Sequence, residues 1–198
     1  MTSPPRINTE ANKAKFISIC KNKINREGLD RLLEWLESSD FFTAPASTKF
    51  HGNFEGGLCE HSLKVYETLA NLNDTYQANI SDESIAVAAL FHDICKVNFY
   101  RQGLRNVKID GNWTTKRIWE IDEAVPLGHG EKSCIILQWY MKLQIPEILA
   151  IRWHMGGFDA AIKGGDWSAS KAQAYTPLVT LLQASDMIAS SLLEDTIE

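Results

Sequence analysis

Apolar residues recur every three or four positions along most of the chain, and this spacing predicts a protein built from α-helices. Residues 9–25 and 29–38 each place their apolar side chains on one face. A longer helix is expected over 57–76, where Val65 and Leu69 lie on one stripe. The segment between the second and third helices contains proline and glycine, so an ordered loop is predicted there.

A second group of helices is predicted further along the chain. The helix that Ser81 caps is apolar nearly all round, which is typical of a helix at the centre of a domain, and we expect it to extend over 84–96. The remaining helices are expected to begin near Gly130, at Pro146 and at Pro177, where Thr176 is the N-cap. Residues 156–175 are rich in glycine and are predicted to form a loop.

The helical spacing breaks off between Asn98 and Val125. Asp110-Gly111 stands there between two runs of alternating residues, which predicts the turn of a β-hairpin. The predicted fold class is therefore all-α, a helical bundle with a small β-hairpin insertion around residues 100–120.

Size and composition are those of one globular domain. The 198 residues are 44% hydrophobic and 23% charged, so a single domain over 1–198 is expected. No apolar run has the length of a membrane span, and the N-terminus lacks the apolar segment of a signal peptide. A cytoplasmic protein is expected.

Charge and cysteine spacing narrow the classes of partner and metal site. A net charge of -5 argues against a long nucleic-acid track, although a local positive cluster would still bind a small phosphorylated substrate. The four cysteines include no CxxC pair, so buried reduced thiols are predicted rather than a cysteine zinc site: Cys20, Cys59, Cys95 and Cys134.

Polar residues at apolar positions are the most informative feature. Asp93 lies within the most apolar predicted helix, and a carboxylate is rarely buried unless it is paired or bound to a metal. Lys96 is a possible partner in an ion pair. The neighbouring His92 offers a neutral imidazole, which is the commonest metal ligand. Both interpretations stay open for this residue alone.

The same anomaly recurs in other helices. A single histidine on an apolar face is usually a core residue that bonds to the backbone. Several such residues together suggest one metal centre, because four histidines and two aspartates supply enough donors for two divalent cations. The six candidate ligands are His61, His92, Asp93, His129, His154 and Asp186.

The order of these residues resembles that of the HD superfamily of metal-dependent phosphohydrolases. HDICK, over 92–96, is similar to the HDxxK form of the motif, and the intervening His129 and His154 are similar to the binuclear branch. That branch includes cyclic-dinucleotide phosphodiesterases and a few di-iron oxygenases. Residues 44–63 resemble the segment that leads into the HD domain of bacterial 3′–5′ exoribonucleases. The resemblance covers about 40–193, which implies a domain core there with the helices of 9–38 packed on it.

The resemblance implies a role for each matched residue. A first metal ion would be held by His61, His92, Asp93 and Asp186. Asp93 would bridge to a second ion, which His129 and His154 would also bind. The two divalent ions would be Mn, Fe, Ni, Co or Mg. Asp93 and Lys96 are the expected catalytic residues, and Lys96 would contact a substrate phosphate.

The function expected from this resemblance is hydrolysis of a nucleotide or small phosphodiester by metal-activated water. Further candidates for contact with the substrate are His51, Arg101, Lys132 and Arg152, each of which could also be an ordinary surface or loop residue. Three alternatives stay open: a di-iron oxygenase with the same ligands, a 3′–5′ exoribonuclease that acts with a partner, and a non-catalytic nucleotide sensor.

Overall fold

The computed structural model describes residues 8–109 and 111–194. Within those ranges the chain forms nine α-helices, which we number in chain order: α1 (Thr9–Lys23), α2 (Leu29–Ser38), α3 (Gly57–Tyr76), α4 (Asp82–Phe91), α5 (His129–Gln138), α6 (Ile145–Trp153), α7 (Ala160–Lys163), α8 (Ser168–Tyr175) and α9 (Pro177–Ile188). Three short helical turns accompany them: two 3-10 turns at Ile94–Lys96 and Gly156–Phe158, and a π turn at Ala189–Leu193. The all-α prediction is confirmed.

One antiparallel hairpin interrupts the helices, as predicted. Strand β1 (Tyr100–Ile109) pairs with strand β2 (Asn112–Ile121), in a register that begins with Tyr100 opposite Ile121. Gly111 has a φ of 84°, a conformation that glycine adopts easily in a tight hairpin turn. Asp110, the other half of the predicted turn, lies outside the described residues.

The central apolar helix is shorter than predicted. It ends at Phe91 instead of running to Lys96, and a 3-10 turn follows at Ile94–Lys96. Asp93 leaves the helical conformation, with φ −105° and ψ 18°. The turn that follows the helix is buried as well, so the buried part of this segment extends past the end of α4.

The predicted loop over 156–175 was wrong. Asp159 caps α7 by accepting a hydrogen bond from the backbone of Ala161. Helix α8 buries Ala169 and Ala172, two small residues on one face. The glycine content of the segment favoured a loop, but the glycines lie outside α7 and α8 and do not interrupt either helix.

The core is centred on α4, whose residues from Ser84 to Phe91 are all buried. Helix α3 packs against α4 and α9, and α6 packs against α5 and α9. Phe16 of α1 covers this core, with its ring centroid 5.6 Å from that of Phe91 and 5.0 Å from that of Phe41. None of the helices in the described ranges has the length and apolarity needed to cross a membrane.

A buried ion pair joins the segment after α1 to the core. The two terminal guanidinium nitrogens of Arg26, Nη1 and Nη2, donate to the carboxylate of Glu147 in α6, at 2.7 and 2.6 Å. Glu147 is fully buried and also accepts a hydrogen bond from Ser84 Oγ at 2.8 Å. These contacts fix α6, and with it the histidine at its end, against α4.

Candidate metal centre

Four elements bring candidate ligands to one buried centre. Helix α3 supplies His61, the turn after α4 supplies His92 and Asp93, the C-terminal end of α6 supplies His154, and α9 supplies Asp186. The three histidines and Asp93 are 0–4% exposed. The sequence-predicted ligands therefore converge, apart from His129, whose position is described below.

His61 lies close to three other candidate ligands. Its Nε2 lies 3.1 Å from His92 Nε2, 3.3 Å from Asp186 Oδ1 and 3.7 Å from Asp93 Oδ2. His92 Nε2 is 3.5 Å from the same Asp93 oxygen. Nitrogen and oxygen donors from three elements thus face one small volume, as the ligands of a cation do.

Two histidines have their orientation fixed by the backbone. Nδ1 of His92 donates to Ala89 O at 2.9 Å, and Nδ1 of His154 donates to Ile151 O at 2.6 Å. Because these hydrogen bonds place the proton on Nδ1, each Nε2 is left as a lone-pair donor toward the centre.

The two carboxylate oxygens of Asp93 face different neighbours. Oδ2 faces His61 and His92, whereas Oδ1 lies 3.5 Å from His154 Nε2. Within the described part of the chain, Asp93 Oδ1 and His154 Nε2 are buried atoms without a hydrogen-bond partner. Buried polar atoms left unpaired are costly, and a cation between them would remove that cost. These residues therefore fit a bound metal ion.

Four overlapping groups in the described residues have ligand atoms within 4.8 Å of one another: His61–His92–Asp186, His92–Asp93–His154, Asp93–Cys95–His129 and His51–His61–Glu194. The first two contain only predicted ligands. His129 and His154 are each grouped with Asp93, but in separate groups. The predicted second-metal set is thus present around Asp93 without forming one group.

The protonation states suit metal binding at most of these positions. Burial lowers the pKa of His92 to about 4, which keeps it neutral. Burial alone would raise the pKa of both aspartates. For Asp93 the charge of Lys96 outweighs burial, and for Asp186 the hydrogen bond from His61 does so. The pKa of each carboxyl therefore lies below its ordinary value. Burial also opposes protonation of His61, yet hydrogen bonds to Asp186 and Glu194 raise its pKa to about 10. A metal ion at this position would replace that proton.

Lys96 is buried beside the centre. Its Nζ lies 2.6 Å from Asp93 Oδ2 and 2.8 Å from the carbonyl oxygen of Ala46. An ammonium group carries three N–H donors, and these contacts use two of them. Asp93 thus pairs with Lys96 and also faces three histidines, so the ion pair is present and the role of Asp93 as a metal ligand stays a prediction.

The family model of the HD domain matches residues 58–190, more than half of the chain. The chain belongs to the HD-domain family. HD domains bind divalent metal ions, and this one has clustered histidine, aspartate and cysteine side chains that are able to hold them.

One curated relative of this HD domain is dihydroneopterin 2′,3′-cyclic phosphate phosphodiesterase from Methanocaldococcus jannaschii. It is 36% identical over 64 residues, which is 30% of this chain and 26% of the relative. The match thus spans about a quarter of the relative's length. No solved structure matches the chain. These comparisons do not show the resemblance of residues 44–63 to exoribonucleases.

Two residues of the HD domain's centre were not predicted. Glu194 Oε1 accepts a hydrogen bond from His61 Nδ1 at 2.7 Å, and the Glu194 side chain is 1% exposed. Cys95 Sγ lies 3.2 Å from His129 Nδ1. Glu194 is the final residue of the last predicted helix, over 177–194, where nothing in the sequence marks it as a partner of a histidine. Cys95 was predicted to be an ordinary buried thiol.

The candidate substrate-binding residues have different surroundings. The His51 ring lies 5.1 Å from the His61 ring, measured between centroids. Arg101 is an exposed residue of β1 and pairs with Glu120, at 3.4 Å. Arg152 pairs with both Glu131 and Asp159, and Lys132 lies over the Phe99 ring at 5.2 Å while pairing with Glu123. Of these four residues, only His51 contacts a candidate ligand within the part of the chain that the structure describes. The roles of all four in substrate binding stay predictions.

A cavity of about 610 Å³ lies beside His129. Its lining comes from the base of the hairpin, the segment before α5 and the turn after α6. The apolar part includes Phe99, Ile121, Leu127 and Phe158, and the charged part consists of Glu123, Glu131, Arg152 and Asp159. Phe158 is 72% exposed at this position. The cavity joins an apolar surface to a candidate metal ligand, which is the composition of a small-molecule site.

Proposed function

We propose that this HD domain is a metal-dependent phosphohydrolase that cleaves a nucleotide or another small phosphodiester. One observation carries the proposal: the oxygens of Asp93 face two sets of imidazoles, and one of these oxygens is buried without a hydrogen-bond partner in the described chain. A first ion would be held by His61, His92, Asp93 and Asp186. A second ion would be held by Asp93, His129 and His154.

The bound ions would supply water made nucleophilic near neutral pH and positive charge for the phosphate oxygens. The protein contributes orientation. Nε2 of His92 and of His154 is held toward the centre by backbone hydrogen bonds at Nδ1. Burial of these side chains excludes bulk water, which strengthens every electrostatic interaction at the centre.

Lys96 and His51 are the residues proposed to bind the phosphate. The ammonium of Lys96 is already held by Asp93 and Ala46, so its third N–H is positioned without further ordering to contact a non-bridging oxygen. His51 lies next to His61, and burial lowers the pKa of His51. A neutral imidazole still donates one hydrogen bond, here to a phosphate or leaving-group oxygen.

The cavity beside His129 supports a small substrate with an apolar ring. Its volume of about 610 Å³ lies in the usual range for small-molecule sites. Phe158 and Leu127 offer surfaces on which a planar ring can stack, while a phosphate reaches His129. The name of the archaeal relative, which describes a cyclic phosphodiester of a pterin, agrees with this class of substrate.

The test is a screen of the purified protein with Mn²⁺ against nucleoside monophosphates, 2′,3′-cyclic and 3′,5′-cyclic phosphates and cyclic dinucleotides. We expect turnover of at least one phosphoester, which EDTA abolishes and added Mn²⁺ restores. Asp93→Asn is expected to lose this activity, whereas Asp30→Asn, at an exposed position in α2, retains it.

Two results would contradict the proposal. One is protein that binds Mn²⁺ but hydrolyses none of these phosphoesters. The other is turnover that survives both EDTA and Asp93→Asn. Consumption of oxygen by iron-loaded protein in the absence of phosphoester turnover would favour the oxygenase alternative instead.

A further inference from the structure

We propose that Cys95 is a metal ligand, and that Asp93, Cys95 and His129 together form a sulfur-containing site for a borderline or soft divalent ion such as Zn²⁺, Co²⁺ or Fe²⁺. The inference rests on the proposed metal centre and extends it. The resemblance to the family assigns no role to this cysteine.

The first support is the position of the sulfur atom. Cys95 Sγ lies 3.2 Å from His129 Nδ1, and one ligand atom from each of Asp93, Cys95 and His129 falls within 4.8 Å of the other two. Three donor types, a carboxylate oxygen, an imidazole nitrogen and a thiol sulfur, thus surround one point. This combination suits zinc and neighbouring transition metals.

The second support is independent of the cysteine. Asp93 is 4% exposed, and its Oδ1 has no hydrogen-bond partner among the described residues. The ion pair with Lys96 uses the other oxygen. One face of this buried carboxylate therefore still needs a positive charge or a hydrogen-bond donor.

The local backbone holds the cysteine in place. Cys95 lies in the 3-10 turn after α4, and its N–H donates to Ser133 Oγ at 3.3 Å. Ser133 is fully buried in α5, the helix that begins at His129. The turn and the helix that carry two of the three ligands are thus joined directly, so the site is largely formed before a metal ion binds.

The other cysteines lie in different surroundings. Cys20 and Cys59 are buried in the apolar core, and Cys134 Sγ contacts a backbone carbonyl, Ile148 O, at 3.6 Å. These three are absent from the groups of potential ligands in the described residues, in contrast to Cys95. They are therefore natural controls.

Coordination requires the thiolate. On binding, the S–H bond of Cys95 breaks, its proton passes to solvent and the sulfur forms a bond to the cation, with no change of oxidation state. A thiolate ligand favours zinc, cobalt and iron over magnesium and manganese. Cys95 would thus determine which metals occupy this site most tightly.

Cobalt substitution tests the assignment directly. We load the full chain with Co²⁺ and record the near-ultraviolet band of thiolate-to-cobalt charge transfer. Wild type and Cys134→Ser are expected to show this band. Cys95→Ser and Cys95→Ala are expected to lose it, to bind cobalt at His61, His92 and Asp186 still, and to bind the other cobalt ion roughly tenfold or more weakly.

The outcomes separate this inference from the proposed function. Cobalt bound to wild type without the band, or a band that persists in Cys95→Ala, overturns the role of Cys95 and leaves the hydrolase proposal standing. Failure of wild type to bind cobalt overturns both. If the variants do not fold, zinc-edge X-ray absorption of wild type decides, because a site with Cys95 shows a sulfur neighbour at about 2.3 Å and a site without it shows only nitrogen and oxygen.

Discussion

Asp93 has one lysine and three histidines around its carboxylate, which is more than a single ion pair requires. Its Oδ2 contacts Lys96 and faces His61 and His92, while Oδ1 faces His154. A buried carboxylate that needed only charge balance would be satisfied by the lysine. The histidines around it are better explained by cations, which require donors on several sides.

Glu194 is predicted to position His61. Its carboxylate accepts the Nδ1 proton at 2.7 Å, which leaves Nε2 facing the centre once a metal ion has replaced the second proton. Outer carboxylates of this kind typically contribute a factor of about 10–100 to metal affinity. Glu194→Ala should weaken metal binding by about that factor, and Glu194→Gln should restore part of it because the amide oxygen still accepts the hydrogen bond.

Competition with a chromophoric chelator measures this affinity. Glu55→Gln, an exposed position in the loop before α3, is the control and should bind metal as wild type does. Equal affinities for wild type and Glu194→Ala would show that His61 needs no such partner.

Lys96 is predicted to act on the substrate rather than on metal binding. Lys96→Met removes a charge-bearing donor next to the reacting phosphate, so kcat should fall by about 10²–10³. The metal content should stay at the wild-type level, since the cations themselves neutralise Asp93. Parallel steady-state kinetics and metal analysis check both expectations, with the exposed Lys21→Met of α1 as control. A variant with unchanged kcat would exclude contact with the phosphate.

Two of the histidines that face the centre, His92 and His154, lie at the C-terminal ends of helices. His92 follows the last residue of the buried helix α4, and His154 follows the last residue of the partly buried helix α6. Each donates Nδ1–H to the carbonyl three residues back. Carbonyls in the last turn of a helix lack partners within it, so the imidazole satisfies one of them. The same bond directs Nε2 away from the helix and toward the centre.

These helix ends also show what the sequence pattern can predict. His61 and Asp186 lie within regular helices, so the spacing of the apolar residues placed them correctly on the inner face. The end of α4 at Phe91 was not predictable from the apolar pattern, because apolar residues resume at Ile94 and Cys95 after the polar pair His92 and Asp93. Glu194 was missed for another reason, because its approach to His61 depends on the π turn at Ala189–Leu193, which has no periodic pattern.

The hairpin and the turn after α6 together line the cavity beside His129, and Phe158 is the exposed aromatic residue there. If a substrate ring stacks on it, Phe158→Ala should raise KM about tenfold and change kcat little. Tyr76→Ala removes an equally exposed aromatic residue at the end of α3 and should leave KM unchanged. Michaelis–Menten kinetics on the best substrate of the screen make the comparison. An equal KM for wild type and Phe158→Ala would place the substrate elsewhere.

At the scale of the whole molecule, the ion pair between Arg26 and Glu147 should be a large contributor to stability. Glu147 is fully buried, so Arg26→Met leaves an unpaired carboxylate in the core, at a cost of about 3–5 kcal/mol in the free energy of unfolding. Lys23→Met breaks only the exposed pair with Asp82 and should leave the denaturation midpoint nearly unchanged. Urea denaturation of the metal-free variants gives both values. Similar midpoints for the two variants would contradict this assignment.

The folded chain gathers ligands that are as far apart in sequence as His61 and Asp186, so metal binding and folding should be coupled. An ion that binds only the folded state raises the apparent stability in proportion to the logarithm of its concentration. A metal ion bound at the proposed centre would thus stabilise the junction of α3, the turn after α4, α6 and α9.

The central claim is that six side chains, Asp93 and five ligands around it, hold two cations. The number of metal ions per chain tests this claim most directly. The protein is saturated with Mn²⁺, freed of unbound ion by gel filtration and analysed by plasma mass spectrometry. The account predicts two manganese ions per wild-type chain and fewer than one in Asp93→Ala. Retention of one manganese ion or none by wild type, or of the same amount by wild type and Asp93→Ala, would contradict it.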